Sequence, residues 1–280
     1  MQWFRRMLMT ILAVVFVVSL CFSLSKFLDK RRGSQTYQEA LDIATAGASE
    51  PTVTTGNTSA ETAPAPTQAQ TQTVWVPEPV ADDPVLEDMK QIDLEALRKV
   101  NPQVVGWLRI PDTHIDYPIV QGEDNDFYLN HDWKGGKNSV GSIFMDHLSS
   151  PELSDYNTII YGHNMKDGSM FAQLRQYSSW DFYEERQHIY ILTDAGCFRY
   201  DIFSSYLAEL DSPAYGQSFQ QRSTREEFLR NARESSAIDT GIEPGLRDRI
   251  LTLSTCANAG NSTRRVVHAR LKMVQLELPG

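Results

Sequence analysis

The sequence predicts a mainly β domain of eight strands, with most of its helix in the N-terminal region and in one insertion. Three observations carry this. From Val104 onward the apolar residues recur at a period of two in short runs separated by turn residues. Little helical periodicity lies between those runs, which fits a barrel or a sandwich. The exception is a long gap between the sixth and seventh runs, where a helical pattern reappears.

Composition suits a folded core. The 280 residues are 41% hydrophobic and 22% charged, ordinary for a globular chain. The net charge of -10 argues against nucleic acid as a partner. It is unevenly spread: six basic residues (Arg5, Arg6, Lys26, Lys30, Arg31, Arg32) stand against one acid, Asp29, in residues 1–32.

Met7 to Ser25 is a run of 19 uncharged, mostly apolar residues. That is long enough to span a bilayer and too long for the apolar region of a cleaved signal peptide. Residues 1–32 are therefore expected to be an uncleaved signal anchor with a transmembrane helix. Basic residues flank both ends, more of them on the C-terminal side, which by itself would keep the domain in the cytoplasm. Residues 33–82 read as a flexible tether rich in Thr, Ala, Pro and Gln, with a short helix expected over residues 34–47.

The folded domain is expected over residues 83–280. Val85 to Val100 has helical apolar spacing and stops at Asn101-Pro102. The eight expected strands are Val104–Ile110, His114–Val120, Gly141–Asp146, Thr158–Gly162, His188–Thr193, Cys197–Leu207, Ile250–Thr255 and Arg265–Leu278. Asp167–Tyr183 is expected to hold a short helix. Ser223-Thr224-Arg225-Glu226 reads as a capping box opening a helix through about Ser235.

Reactive chemistry centres on Thr252-Leu253-Ser254-Thr255-Cys256. Alternation puts Leu251 and Leu253 on one face of a strand and Thr252, Ser254 and Cys256 on the other. A free cysteine is more often a small buried hydrophobe than a nucleophile. The other two cysteines are Cys21, in the apolar segment, and Cys197; a Cys197–Cys256 bridge would silence the thiol. A nucleophilic thiol needs a base or cation beside it. Of the six histidines, His163 is best placed, just past Gly162 at a strand end, although a turn histidine on the surface is an equal reading of that position. His188 and His268 sit in strands and read as structural; His131 and His147 lie in polar loops that spacing alone does not exclude. In the last strand Val267, Ala269, Leu271 and Met273 share an apolar face, which puts Arg264 with Val266, His268, Arg270 and Lys272 on the other and Arg265 with the core set. No Cys or His spacing suggests a metal site.

Thr252–Cys256 matches a Thr-Leu-x-Thr-Cys signature, and the chain around it resembles a class B sortase. Gly106-Trp107-Leu108-Arg109-Ile110-Pro111, Ile115–Gln121, Asp124–Leu129, Gly141–Asp146, Tyr161-Gly162-His163-Asn164-Met165 and Arg264–Ala269 carry the resemblance in order, over about residues 86–278. It implies an eight-stranded sortase-type β-barrel with an N-terminal helix and a helix inserted between strands 6 and 7. It also implies a cysteine transpeptidase without a cofactor or metal, anchored in the cell membrane with its catalytic domain outside.

In that implied chemistry Cys256 attacks the Thr carbonyl of a C-terminal sorting motif on a secreted protein, of an Asn-Pro-x-Thr kind. His163 serves as acid and base, and Arg264 holds substrate and oxyanion. Thr255, Ser254, Asn164 and Asn258 are candidates for substrate or oxyanion binding; some class B members carry an acid where this chain has Asn258. The acceptor is an amine of a peptidoglycan precursor or of a pilin. Two other readings share these residues: a cysteine peptidase-like hydrolase, and a non-enzymatic membrane-tethered domain that binds wall polymer.

Overall fold

The computed structural model describes residues 2–46, 83–256 and 262–275. Eight strands close a barrel in the order β1-β2-β3-β4-β7-β8-β6-β5, with β5 returning to β1. They are β1 (Val104–Arg109), β2 (Asp116–Val120), β3 (Ile143–Met145), β4 (Asn157–His163), β5 (His188–Thr193), β6 (Gly196–Glu209), β7 (Ile250–Cys256) and β8 (Thr263–Gln275). Each matches an expected strand, and closure decides for a barrel over a sandwich. β2 with β3 and β4 with β7 run parallel; the remaining pairs are antiparallel.

The core divides in two. Inside the barrel lie Leu108, Ile119, Ile143, Ile160, Leu251, Leu253, Val267 and Ala269, all buried. Outside it, a smaller cluster of Phe203, Tyr206, Ala214, Phe219, Phe228, Leu229 and Val266 is covered by the insertion between β6 and β7. The insertion carries helix α5 (Arg222–Glu234). Its start differs from the expected capping box: Gln221 takes the N-cap position with no side-chain cap. Glu226 binds the guanidinium of Arg222 at 2.7 Å instead of folding back on Ser223.

The helix expected over Val85–Val100 is two helices, α2 (Pro84–Met89) and α3 (Leu94–Val100). The break has a local cause: Asp93 caps α3, accepting from the Ala96 amide at 2.8 Å, and turns its own amide to the Ala44 carbonyl. The Asp167–Tyr183 region holds a 3-10 turn at Ala172–Ser178 and helix α4 (Trp180–Glu185).

At the N-terminus a single helix, α1, runs from Gln2 to Thr45. Its described apolar side chains near the start, among them Trp3, Ile11, Phe16, Leu20 and Phe22, are exposed. Among the described residues no helix is long and apolar enough to cross a membrane. The helix expected over residues 34–47 is the end of α1, and it is packed. Tyr37, Ala40 and Ala44 share one face and are buried against the domain. So residues 33–45 of the expected tether lie on the barrel, while residues 47–82 fall outside the described residues.

Candidate active site

β4 and β7 run parallel for seven paired residues, from Asn157↔Ile250 to His163↔Cys256. The two residues singled out as acid–base and nucleophile are therefore direct neighbours across one ladder, about 4.8 Å apart in the backbone spacing of a sheet. The backbone of Cys256 is described; its side chain, like all of Asn258, lies outside the described residues.

Two glycines let His163 sit where it does. A Cβ on Gly162 would meet Ile143 at 2.4 Å and Phe171 at 2.7 Å. Gly141, at φ +63°, lets the His163 ring lie against its backbone, since a Cβ there would come within 2.8 Å of the ring. The ring is half-buried, and its Nε2 lies 2.6 Å from the Leu129 carbonyl. A carbonyl only accepts, so Nε2 carries the hydrogen and Nδ1 is left to exchange a proton.

Arg264 lies near the start of β8, and its guanidinium reaches the Thr255 carbonyl at 3.5 Å. It lines a cavity of about 280 Å³ together with Leu129, Phe144, Tyr161, Leu210 and Tyr215. Arg265 does not line it. Its amide donates to the Thr255 hydroxyl at 3.0 Å, and its Nε is buried without a hydrogen-bond partner. Burial also lowers the pKa of its guanidinium. Ser254 is buried, with its hydroxyl 3.0 Å from that of Tyr215. Asn164 bridges to Met170 across the turn after β4.

A larger hollow of about 910 Å³ lies between α5 and residues 236–246, and none of the expected site residues lines it. Of the expected site residues, Arg264 lines the smaller cavity.

The other candidates have structural employment. His268 is fully buried under the insertion. His188 lies 2.9 Å from Asp201, and His131 stacks on Phe127 at 3.9 Å. Cys197 is free and buried, and burial pushes its thiol up to about 12, so it is inert as a nucleophile. The parity of β7 holds, but its polar face is not an open groove: Thr252 and Ser254 are both buried beneath the insertion. Sequence reasoning missed Tyr215 and Leu210, since irregular insertion residues carry no periodic signal.

Residues 108–272 match the family described as Sortase domain. The chain belongs to the sortase family. It is 42% identical to sortase B of Listeria monocytogenes over 164 residues, 59% of this chain and 67% of that one. A Staphylococcus aureus sortase B–substrate complex aligns with a TM-score of 0.63 at 33% identity, over 65% of this chain and 85% of that one. A Bacillus anthracis sortase B in complex with AAEK1 aligns with a TM-score of 0.67 at 30% identity, over 88% of this chain and 99% of that one. These relatives place the sortase among class B members, and with them it is an enzyme, a cysteine transpeptidase.

Proposed function

We propose that this sortase cleaves a C-terminal sorting motif after Thr and transfers the severed protein to an amine of a peptidoglycan precursor or pilin. The observation that carries the reading is the register that sets His163 beside Cys256, with Arg264 against the Thr255 carbonyl at the neighbouring cavity. The Cys256 thiolate attacks the Thr carbonyl carbon. A C–S bond forms, and the scissile C–N bond breaks as His163 gives its proton to the departing amine. Arg264 binds the substrate carbonyl and steadies its developing negative charge. The incoming amine then attacks the thioester, His163 takes its proton, and the Cys256 thiolate leaves. Thr255, Asn164 and Asn258 are assigned to substrate or oxyanion contacts, and Ser254, buried with its hydroxyl against Tyr215, to holding that turn.

Residues 1–32 serve as the membrane anchor and residues 83–280 as the catalytic domain, which faces outward to meet exported substrates. Support for the anchor comes from the uncharged run Met7–Ser25 and the exposed apolar side chains of α1.

The test uses the full chain in detergent with an Asn-Pro-x-Thr peptide, with and without an amine acceptor. Cys256→Ala and His163→Ala abolish turnover. Arg264→Ala lowers kcat/KM about 100-fold or more, the scale of one lost oxyanion donor, and Arg265→Ala lowers it far less. Hydrolysis that no amine diverts overturns the transferase reading. Turnover that survives all three substitutions at Cys256, His163 and Arg264 overturns the site. Removal of residues 2–32 releases the protein from the membrane fraction; persistence there overturns the anchor.

A further inference from the structure

We infer that Tyr37, on the packed end of α1, is a positioning residue for His163, so that the anchor helix takes part in building the active site. The inference rests on His163 being the proton-transfer group of the proposed reaction.

Two segments flank the His163 ring and strand end, and Tyr37 touches both supports. The first is residues 129–142. Its beginning supplies the Leu129 carbonyl that receives His163 Nε2, at 2.6 Å. Its end supplies Gly141, whose backbone lies against the ring. The Tyr37 hydroxyl donates to the Gly141 carbonyl and lies 3.4 Å from the Ser142 hydroxyl. Ser142 in turn donates to the His131 carbonyl at 2.9 Å. The same segment is fastened to α1 at two further points. The Trp133 indole donates to the Thr36 carbonyl at 2.8 Å, and Lys134 pairs with Glu39 at 2.6 Å.

The second support is the turn after His163. The Tyr37 ring meets Tyr117 edge-on, with centroids 5.2 Å apart. The Tyr117 hydroxyl accepts from the Met170 amide at 3.1 Å, and the next amide, Phe171, donates to the His163 carbonyl at 2.9 Å. One buried side chain thus joins the seat of the ring to the turn that fixes the backbone. Burial raises the pKa of the Tyr37 phenol well above its ordinary value, so it stays a donor at working pH.

A group that must give a proton and then take one back loses rate when its ring is loosely held. Without the Tyr37 hydroxyl the Gly141 carbonyl is a buried acceptor without its donor, and the peptide plane beneath the ring is released. Tyr37 does not line the cavity around Leu129, Tyr161, Tyr215 and Arg264, so its loss acts on peptide binding only through the Leu129 segment, and kcat is expected to fall more than KM rises.

The experiment compares wild type with Tyr37→Phe, which keeps the ring and removes only the hydroxyl, in the full chain in detergent. Gln38→Ala, on the same turn and exposed, is the control. Three quantities are read: kcat and KM for the Asn-Pro-x-Thr peptide, thermal midpoint, and the titration of His163 by ¹⁵N-histidine NMR. Tyr37→Phe is expected to lower kcat about tenfold or more, leave KM within about twofold, and shift the His163 titration, while the thermal midpoint falls by only several degrees and the protein stays folded at the assay temperature. Unchanged kcat and unchanged His163 titration overturn the inference. So does a loss of activity matched by loss of folded protein with the His163 titration intact. If wild type fails to turn over the peptide, the functional reading fails, and the His163 titration still decides the role of Tyr37.

Discussion

Thr252→Val tests the buried polar chain beneath the insertion. The Asn157 amide donates to the Ala214 and Gly216 carbonyls at 3.2 and 3.3 Å. Its Oδ1 therefore faces Thr252, 2.6 Å away, and takes the Thr252 hydroxyl hydrogen. Thr252 can then only accept from His268 Nδ1, at 2.8 Å, which fixes the hydrogen of that neutral imidazole on Nδ1. His268 Nε2 lies 3.3 Å from the Tyr206 hydroxyl, whose own hydrogen goes to Asn231 Oδ1 at 3.2 Å. From His268 through Thr252 to Asn157 the donors point one way, and the chain ends on the turn that carries Tyr215 to the cavity beside Arg264. Valine keeps the shape of Thr252 and strands two buried groups, the Asn157 carbonyl oxygen and the His268 Nδ1 hydrogen. At about 1–3 kcal/mol each the expected loss is roughly 3 kcal/mol. In urea, with a slope of about 2 kcal/mol/M, the midpoint falls by about 1.5 M. Thr252→Ser, which retains the hydroxyl, loses much less. A Thr252→Val midpoint within about 0.3 M of wild type, at an unchanged slope, refutes the chain.

Other consequences follow from the same geometry. Burial holds the His268 pKa down at about 3. The unfolded chain therefore binds this proton more readily than the folded one. The contribution is complete above about pH 6.5 and is lost as pH falls toward 3, by up to about 5 kcal/mol. Urea midpoints from pH 7.5 downward check it, and His268→Gln flattens that part of the profile. Gly141→Ala places a methyl group against the His163 ring at a left-handed backbone position. It is expected to cost tenfold or more in kcat and about 1–2 kcal/mol in stability, read by kinetics and urea unfolding. Iodoacetamide at pH 8 leaves Cys197 unmodified in the folded chain, checked by peptide mass mapping, because its thiol is buried and pushed up to about 12.

Strand existence was legible because period-two alternation is a local property, and all eight strands fall where it occurs. So was the different employment of two adjacent arginines: parity separates them, and Arg264 alone lines the cavity. What alternation does not reveal is what covers a face. The polar face of β7 and β8 reads as a groove, yet Thr252 and His268 are buried, because the insertion adds a second core over them. The capping box failed for a related reason. A pattern of residue types does not say which partner wins, and Arg222 holds Glu226. The packed end of α1 was legible as a helix but not as part of the domain. Tyr37, Ala40 and Ala44 form a narrow stripe, and its partners are distant in sequence, Asp93 for the Ala44 carbonyl and Gly141 for the Tyr37 hydroxyl.

The ladder between β4 and β7 joins these features. At one end it pairs His163 with Cys256; near the other, Asn157 and Thr252 share the shortest bond of the buried chain. A slip of one residue moves Leu251 or Leu253 toward Asn157 and carries Thr252 into the apolar barrel. That strands Asn157, Thr252 and His268 at once and sets an aliphatic side chain against an amide. The apolar alternation of β7 alone tolerates a slip of two residues, because it preserves which face is which. The Asn157–Thr252–His268 chain does not, since after two residues neither Ile250 nor Ser254 reproduces both bonds that Thr252 makes. The buried polar chain therefore locks the register that makes His163 and Cys256 neighbours. Relaxing it is expected to blur the pairing of His163 with Cys256 at one end of the ladder as well as to loosen the Tyr215 turn at the other.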